Sequence, residues 1–256
     1  MAALNVVAKT ALLLRAIAAC EPEGATTSEL ARRADLNRST AHRLLSDLHG
    51  EGLVDRDEPS ARWLLGPALF FMGLSAGHRY DVTQTALPFV RRLAAQTSES
   101  AFYSVWRSNE SVCLVQEEGT YPLRSHVLRE GIRFPLGVAS AGLAVLSFLP
   151  ETEIETYLTQ ADLSAFGPEH GVDALRARID QTRRQGYAVN PGLIVEGSWG
   201  MAAAVVDERD RPVGALSVTG VEQRFSPDRQ PDLGRLLMSA AHELSLALRE
   251  PRAIWR

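Results

Sequence analysis

The stretch Asn37-Arg38-Ser39-Thr40-Ala41-His42-Arg43-Leu44-Leu45-Ser46-Asp47-Leu48-His49 decides how the rest of the chain is read. Ala41, Leu44, Leu45 and Leu48 recur at the spacing of one helical face, so they form a single apolar stripe. Arg38, Ser39, His42, Arg43 and Ser46 fall off that stripe. Asn37 is a good N-cap, because its side chain can accept from a first-turn amide. Gly50 and Gly52 end the helix. Arginine donates in pairs to guanine or to phosphate. Ser39 and Thr40 stand in the first turn, where free amides and the helix dipole favour phosphate. Short hydroxyl side chains also let a helix approach a groove floor. The plain alternative is an amphipathic helix whose arginines are only solvated.

The flanking residues favour the groove reader. Thr26 followed by Glu29 is a capping-box pair opening a short helix with Leu30, Ala31 and Ala34 inward. Asp35-Leu36-Asn37 makes a tight connection to the quoted helix. Before it, Val6, Val7, Leu13, Leu14 and Ile17 keep helical period up to the turn-rich Glu21-Pro22-Glu23-Gly24. After it, residues 53–56 and 62–65 flank a polar turn and read as a hairpin, a wing. Arg56 and Arg62 on that wing are placed to reach flanking backbone or minor groove. Arg32, Arg33, Arg38 and Arg43 outweigh Glu29 and Asp35, a local basic surplus of the kind that supplies sequence-independent affinity. All of this falls within roughly 60 residues, near the size of one DNA-binding module.

Gly66-Pro67 opens a further apolar helix, 68–79, a connector. Beyond it, 82–97 is amphipathic, with Ala86, Leu87, Val90, Leu93 and Ala94 on one face. Residues 101–106 and 111–116 read as a hairpin, as do 201–206 and 212–219. Residues 139–149, 151–160 and 172–185 read as helices, and Ser226-Pro227-Asp228 as the cap of a last helix ending near 249. The fold class is α+β: a winged helix-turn-helix at 1–66, a linker helix at 67–80 and a sensor domain at 81–256, with antiparallel strands and helices on its faces.

With 256 residues, 45% hydrophobic and 23% charged, the chain has material for real cores. Its net charge of -4 excludes a general polyanion binder, so any nucleic-acid surface is local. Cys20 and Cys113 form no metal spacing and no disulfide framework. Apolar runs such as 139–149 are about half a bilayer span, and the first nine residues lack a signal-peptide pattern. The expected location is the cytoplasm, with no membrane partner. No Walker loop, dinucleotide motif or zinc spacing is present, so no cofactor, metal site or catalytic set is expected. One pattern competes. Gly73-Leu74-Ser75-Ala76-Gly77 fits the nucleophile elbow of an α/β-hydrolase-like esterase, with His126 and His170 downstream. That elbow needs a preceding strand, and here helices and a hairpin precede it. A sensor-type interaction module without DNA binding would leave the quoted helix unexplained.

The residues also carry a resemblance. Thr27-Ser28-Glu29-Leu30-Ala31, Leu36 to Leu45, Gly52-Leu53-Val54 and Leu65-Gly66-Pro67 look like the IclR family of bacterial transcription regulators. Gly131 to Leu136, Ala141-Gly142-Leu143-Ala144, Gly186-Tyr187-Ala188-Val189, Met201-Ala202-Ala203 and Ala215 to Gly220 resemble its second domain. The resemblance covers about residues 4 to 250. It implies a GAF-like effector-binding domain, a homodimer or homotetramer, a double-stranded DNA operator, a small organic effector, and repression or activation of a catabolic operon. By position, Ser28, Arg38, Ser39, Thr40, His42 and Arg43 are the expected DNA contacts, with Arg56 and Arg62 on the wing. Ser140, Ala141, Gly142, Asn190, Gly200, Ser217 and Thr219 are the expected effector contacts. The chemistry is consistent: Ser217 and Thr219 share one face of a strand, and Ala141 and Gly142 begin a helix.

The sequence departs from the family pattern at Leu143, where lysine is frequent, and at Gly192 and Leu193, where acids are frequent. It also departs at Asn190, where aspartate is frequent. Either the effector is more apolar, an aromatic or alicyclic compound or organic acid, or these positions serve structure alone.

Overall fold

The computed structural model describes residues 5–80 and 82–249, without the side chains of 76–80, and forms two compact units, 1–81 and 82–256. Asp81, where the sequence places a domain boundary, lies outside the described residues.

In the first unit, helices α1 (Val6–Ala18), α2 (Thr27–Arg33) and α3 (Arg38–Gly50) precede strands β1 (Val54–Asp57) and β2 (Arg62–Leu65) and helix α4 (Pro67–Tyr80). Both capping devices read from the sequence are formed. The Thr26 amide donates to Glu29 Oε2 at 2.8 Å, and the Thr26 hydroxyl oxygen accepts from the Glu29 amide. Asn37 Oδ1 accepts from the Thr40 amide at 2.8 Å. Leu13, Ile17, Leu30, Ala41, Leu45 and Val54 meet in one core, so the α3 stripe is its anchor. β1 and β2 pair antiparallel as the wing, and Trp63 exchanges backbone bonds with Ala25 to join wing to helices. Gly66 follows because a Cβ there would come 2.2 Å from Gly52 O.

The second unit runs α5 (Val82–Thr97), β3 (Ser100–Arg107), β4 (Glu110–Glu117), β5 (Arg133–Pro135), α6 (Ser140–Ser147), α7 (Glu151–Gln160), α8 (Val172–Gln185), β6 (Ala188–Pro191), β7 (Ser198–Val206), β8 (Pro212–Val221) and α9 (Gln230–Arg249). One sheet of order β5-β4-β3-β8-β7-β6 holds all these strands, and every pairing is antiparallel. Alternate residues leave opposite faces. Tyr103, Met201, Leu216 and Val218 pack with Val90 and Leu93 of α5 and Leu237 and Leu244 of α9. Ala188, Ala202 and Ala215 pack on the other side with α6, α7 and α8. Every residue of α6 is buried, which is why that segment is apolar all round rather than striped.

The structure differs from the sequence reading in two places. α9 starts at Gln230 rather than Ser226, because Ser226 O closes a turn by accepting from the amides of Arg229 and Gln230. β5, of 3 residues, is too short to show alternation, and only its pairing to β4 defines it.

Candidate DNA-reading surface and effector cleft

On α3 the buried stripe turns Arg38, Ser39, His42 and Arg43 to the exposed side, with Thr40 half-buried between. The Ser39 hydroxyl donates to Asn37 Oδ1 at 3.0 Å, which ties it to the cap. Ser28 is exposed in the first turn of α2, the helix that precedes α3 across the tight turn. On the wing, the Arg56 guanidinium lies 5.5 Å from the centre of the Trp63 ring and remains exposed. Arg62 behaves differently. Its Nη1 donates to Gly24 O at 2.8 Å and stands 4.0 Å from Glu29, so its charge is used within the unit. The Thr26 amide and hydroxyl, aided by Arg62 and Arg32, hold the Glu29 carboxyl below its ordinary range. Glu29 is thus engaged by its own cap and by the wing.

Ser75 lies in α4, and its hydroxyl donates to Phe71 O at 3.1 Å. That is an intrahelical bond to the preceding turn, not a strand-to-helix elbow, so the esterase reading fails.

In the second unit, Asn190, Gly200 and Thr219 are aligned across β6, β7 and β8 by the strand register. Ser140, at the first turn of α6, faces them: a Cβ on Gly200 would come 3.1 Å from Ser140 Oγ. These residues line one narrow cleft, with Val127, Leu128, Ala139, Ile194, Ser198 and Trp199. Ala141, Gly142 and Ser217 are buried beside it but are not part of its wall. Ala139, the N-cap of α6, offers no side-chain cap bond to the helix start. Ser217 Oγ and Thr219 Oγ1 are buried without a hydrogen-bond partner among the described residues. Buried polar groups are rarely left so, and a site that holds a ligand is one reason.

Both ends of the Asn190 amide are engaged. Its Nδ2 donates to Val138 O at 2.7 Å, and its Oδ1 accepts from the Leu193 amide at 2.9 Å. The carbonyls on either side of this loop are held too: Tyr157 Oη donates to Leu136 O at 2.7 Å, and Arg178 Nη2 to Gly137 O at 3.1 Å. Burial pushes the Tyr157 hydroxyl up to about 12, so it stays a donor. Side chains from α7, α8 and β6 therefore fix the loop that delivers α6 to the cleft. The departures noted in the sequence also have structural places. Leu143 is core, and Gly192, at φ +78, takes a conformation that side chains strain to adopt.

Sequence reasoning missed Val127, Leu128, Ala139, Ile194, Ser198 and Trp199. Apart from the start of β7, they come from irregular loops, which carry no periodic signal. The same loops bound a larger cavity of about 560 Å³, walled by Arg124 to Val127, Val195 to Ser198, Val221 and Gln223.

The fold and these two surfaces define a winged-helix DNA-binding regulator with a separate effector-binding domain. Comparison with known proteins agrees. Residues 6–58 match the IclR helix-turn-helix domain, and residues 74–246 match the bacterial transcriptional regulator IclR C-terminal domain. The HTH-type transcriptional repressor AllR of Klebsiella pneumoniae is 32% identical over 225 residues, covering 87% of this chain and 82% of the relative. A crystal structure assigned to an IclR transcriptional regulator from Silicibacter sp. TM1040 aligns with a TM-score of 0.80 at 22% identity, over 96% of this chain and 97% of that one. The structure of an IclR homologue from Microbacterium hydrocarbonoxydans in complex with 4-hydroxybenzoate aligns with a TM-score of 0.74 at 25% identity, over 95% and 99%. This chain belongs to the IclR family of DNA-binding transcriptional regulators, and its homologues are regulators, not enzymes. Among the described residues no helix is long and apolar enough to cross a membrane.

Proposed function

We propose that the chain is a cytoplasmic repressor of a catabolic operon, released from its operator when a small organic acid fills the cleft of the second domain. The carrying observation is the exposed face of α3, with Arg38, Ser39, His42 and Arg43 outward above a sealed leucine stripe. In this reading that face enters the major groove, Thr40 and Ser28 approach phosphates, and Arg56 follows the flanking backbone. Arg62 supports the wing through Gly24 rather than the DNA. The AllR relatives are transcriptional repressors, and 4-hydroxybenzoate is the ligand of a homologue. Ser140, Asn190, Gly200 and Thr219 line the effector end, with Ala141, Gly142 and Ser217 buried behind them, and the unpartnered hydroxyl of Thr219 is its donor and acceptor.

The chain acts as a homodimer, or a pair of dimers, on a near-palindromic operator whose half-sites lie about 34 Å apart. Phe70, Phe71, Met72 and Leu74 support this: all are exposed on the connector α4, an apolar stretch that a second copy would cover. Arg43→Ala is expected to weaken specific operator binding by about 1–3 kcal/mol in a footprinting titration at fixed salt. An unchanged affinity would remove Arg43 from base reading.

A further inference from the structure

The cleft lined by the expected effector residues is narrow. It measures about 20 Å³, room for one water-sized sphere. Its wall holds the polar side chains of Ser140, Asn190, Ser198 and Thr219 and the indole of Trp199, and otherwise aliphatic side chains and glycine, with no ionisable group. An ionised end would enter it without a counter-charge, which is costly, whereas a hydroxyl or carbonyl would find Thr219 Oγ1 waiting. The 560 Å³ cavity next to it has the size of a ligand site and a different chemistry. Its lining includes Arg124 and His126 from one loop and Glu196 from another. Arg124 is paired with Glu118 and donates to Tyr121 O, so a ligand carboxylate would share its guanidinium with Glu118. Val127 and Ser198 line both spaces, so these are neighbouring compartments. The loops that divide them touch through Ser125 Oγ and Ser198 Oγ, 2.5 Å apart.

From this we infer that the two compartments are one binding site, divided at the Ser125–Ser198 contact, for an elongated monocarboxylic acid. The inference rests on the effector reading of the cleft and specifies its ligand. The uncharged hydroxyl or carbonyl end enters between Ser140 and Thr219, and the apolar body passes Val127 and Trp199. The single carboxylate ends against Arg124 and His126. Glu196, also in the lining, rejects a second carboxylate by like-charge repulsion. Opening exchanges the Ser125–Ser198 bond, and the bond from the Val127 amide to Ser125 Oγ, for bonds to the ligand, and widens the narrow cleft. Arg124 and His126 are then specificity-determining residues, in a loop the sequence left unread.

The test compares 4-hydroxybenzoate with 4-(4-hydroxyphenyl)butanoate, which has the same two ends set farther apart, by titration calorimetry on the full chain. The longer acid is expected to bind about ten-fold more tightly or better. Arg124→Gln should remove that advantage, with little effect on the short acid, and Arg124→Lys should restore most of it. Thr219→Val should weaken both acids. Equal binding of the two acids, or an equal loss of both in Arg124→Gln, overturns the outer compartment while leaving the inner cleft as the effector site. Failure of both acids to bind overturns both readings, and leaves the reading of α3 untouched.

Discussion

At Thr219 and Ser217 the structure keeps two hydroxyls buried with no partner among the described residues. An unsatisfied buried hydroxyl opposes folding, so these positions are tuned for something other than stability. Thr219→Val should therefore leave the ligand-free protein as stable as before, or more stable by up to about 1 kcal/mol, in a urea titration. A loss of stability would mean that the hydroxyl has a partner after all. His170 gives a second residue-level expectation. Its side chain is buried, with Nδ1 2.9 Å from Phe166 O and Nε2 unpartnered among the described residues. Burial, then the nearby Arg178 charge, hold its imidazole below the ordinary 6.5, with Glu169 and the carbonyls of Phe166 and Val138 opposing weakly. The folded state thus refuses a proton that the unfolded chain accepts. Below about pH 6.5 the unfolded chain carries more protons, so stability falls as pH drops toward the depressed value. Urea midpoints measured from pH 7.5 to 5 should decline, and His170→Gln should flatten part of that decline. A mutant profile parallel to the parent would contradict the assignment.

At the scale of elements, α3 was readable because every local signal agreed. Asn37 capped it, Ala41, Leu44, Leu45 and Leu48 striped it, and glycine ended it. The hairpins β3–β4 and β7–β8 were readable from polar turns between apolar runs. β5 and the 190–198 loop were not, because pairing to a distant strand and left-handed glycines define them, not local pattern. The cleft was half legible. Position on a strand put Thr219 on the correct face, but nothing local announces that Asn190 would spend both ends of its amide on Val138 and Leu193. Nor does sequence reveal that α8 grips both ends of α6. Arg178 bonds Gly137 O before it, and Arg183 bonds Ser147 O and Leu149 O at its end, at 2.9 and 3.1 Å. These carbonyls are helix-end acceptors that need partners. Arg183→Leu should cost about 1–3 kcal/mol. Amide exchange should quicken in α6 and the turn after it while β3 and β8 stay protected. A uniform quickening across the sheet would show that the arginine only adds global stability.

For the whole molecule, the formal charge of -4 and the basic surface on α3 divide the labour. Net negative charge discourages adventitious binding to nucleic acid, and the local arginines supply attraction only where the helix can dock. Division into two units puts DNA reading and ligand sensing in separate cores, each built on its own buried stripe. The most direct test of the central claim, that the exposed face of α3 reads a duplex, is selection of bound sequences from a pool of random double-stranded DNA by the full chain. The account predicts enrichment of a two-fold-symmetric site with half-sites about one helical turn apart, and loss of that enrichment with Arg38→Ala and Arg43→Ala together. Enrichment that survives both substitutions, or no enrichment by the unmodified chain, would contradict it.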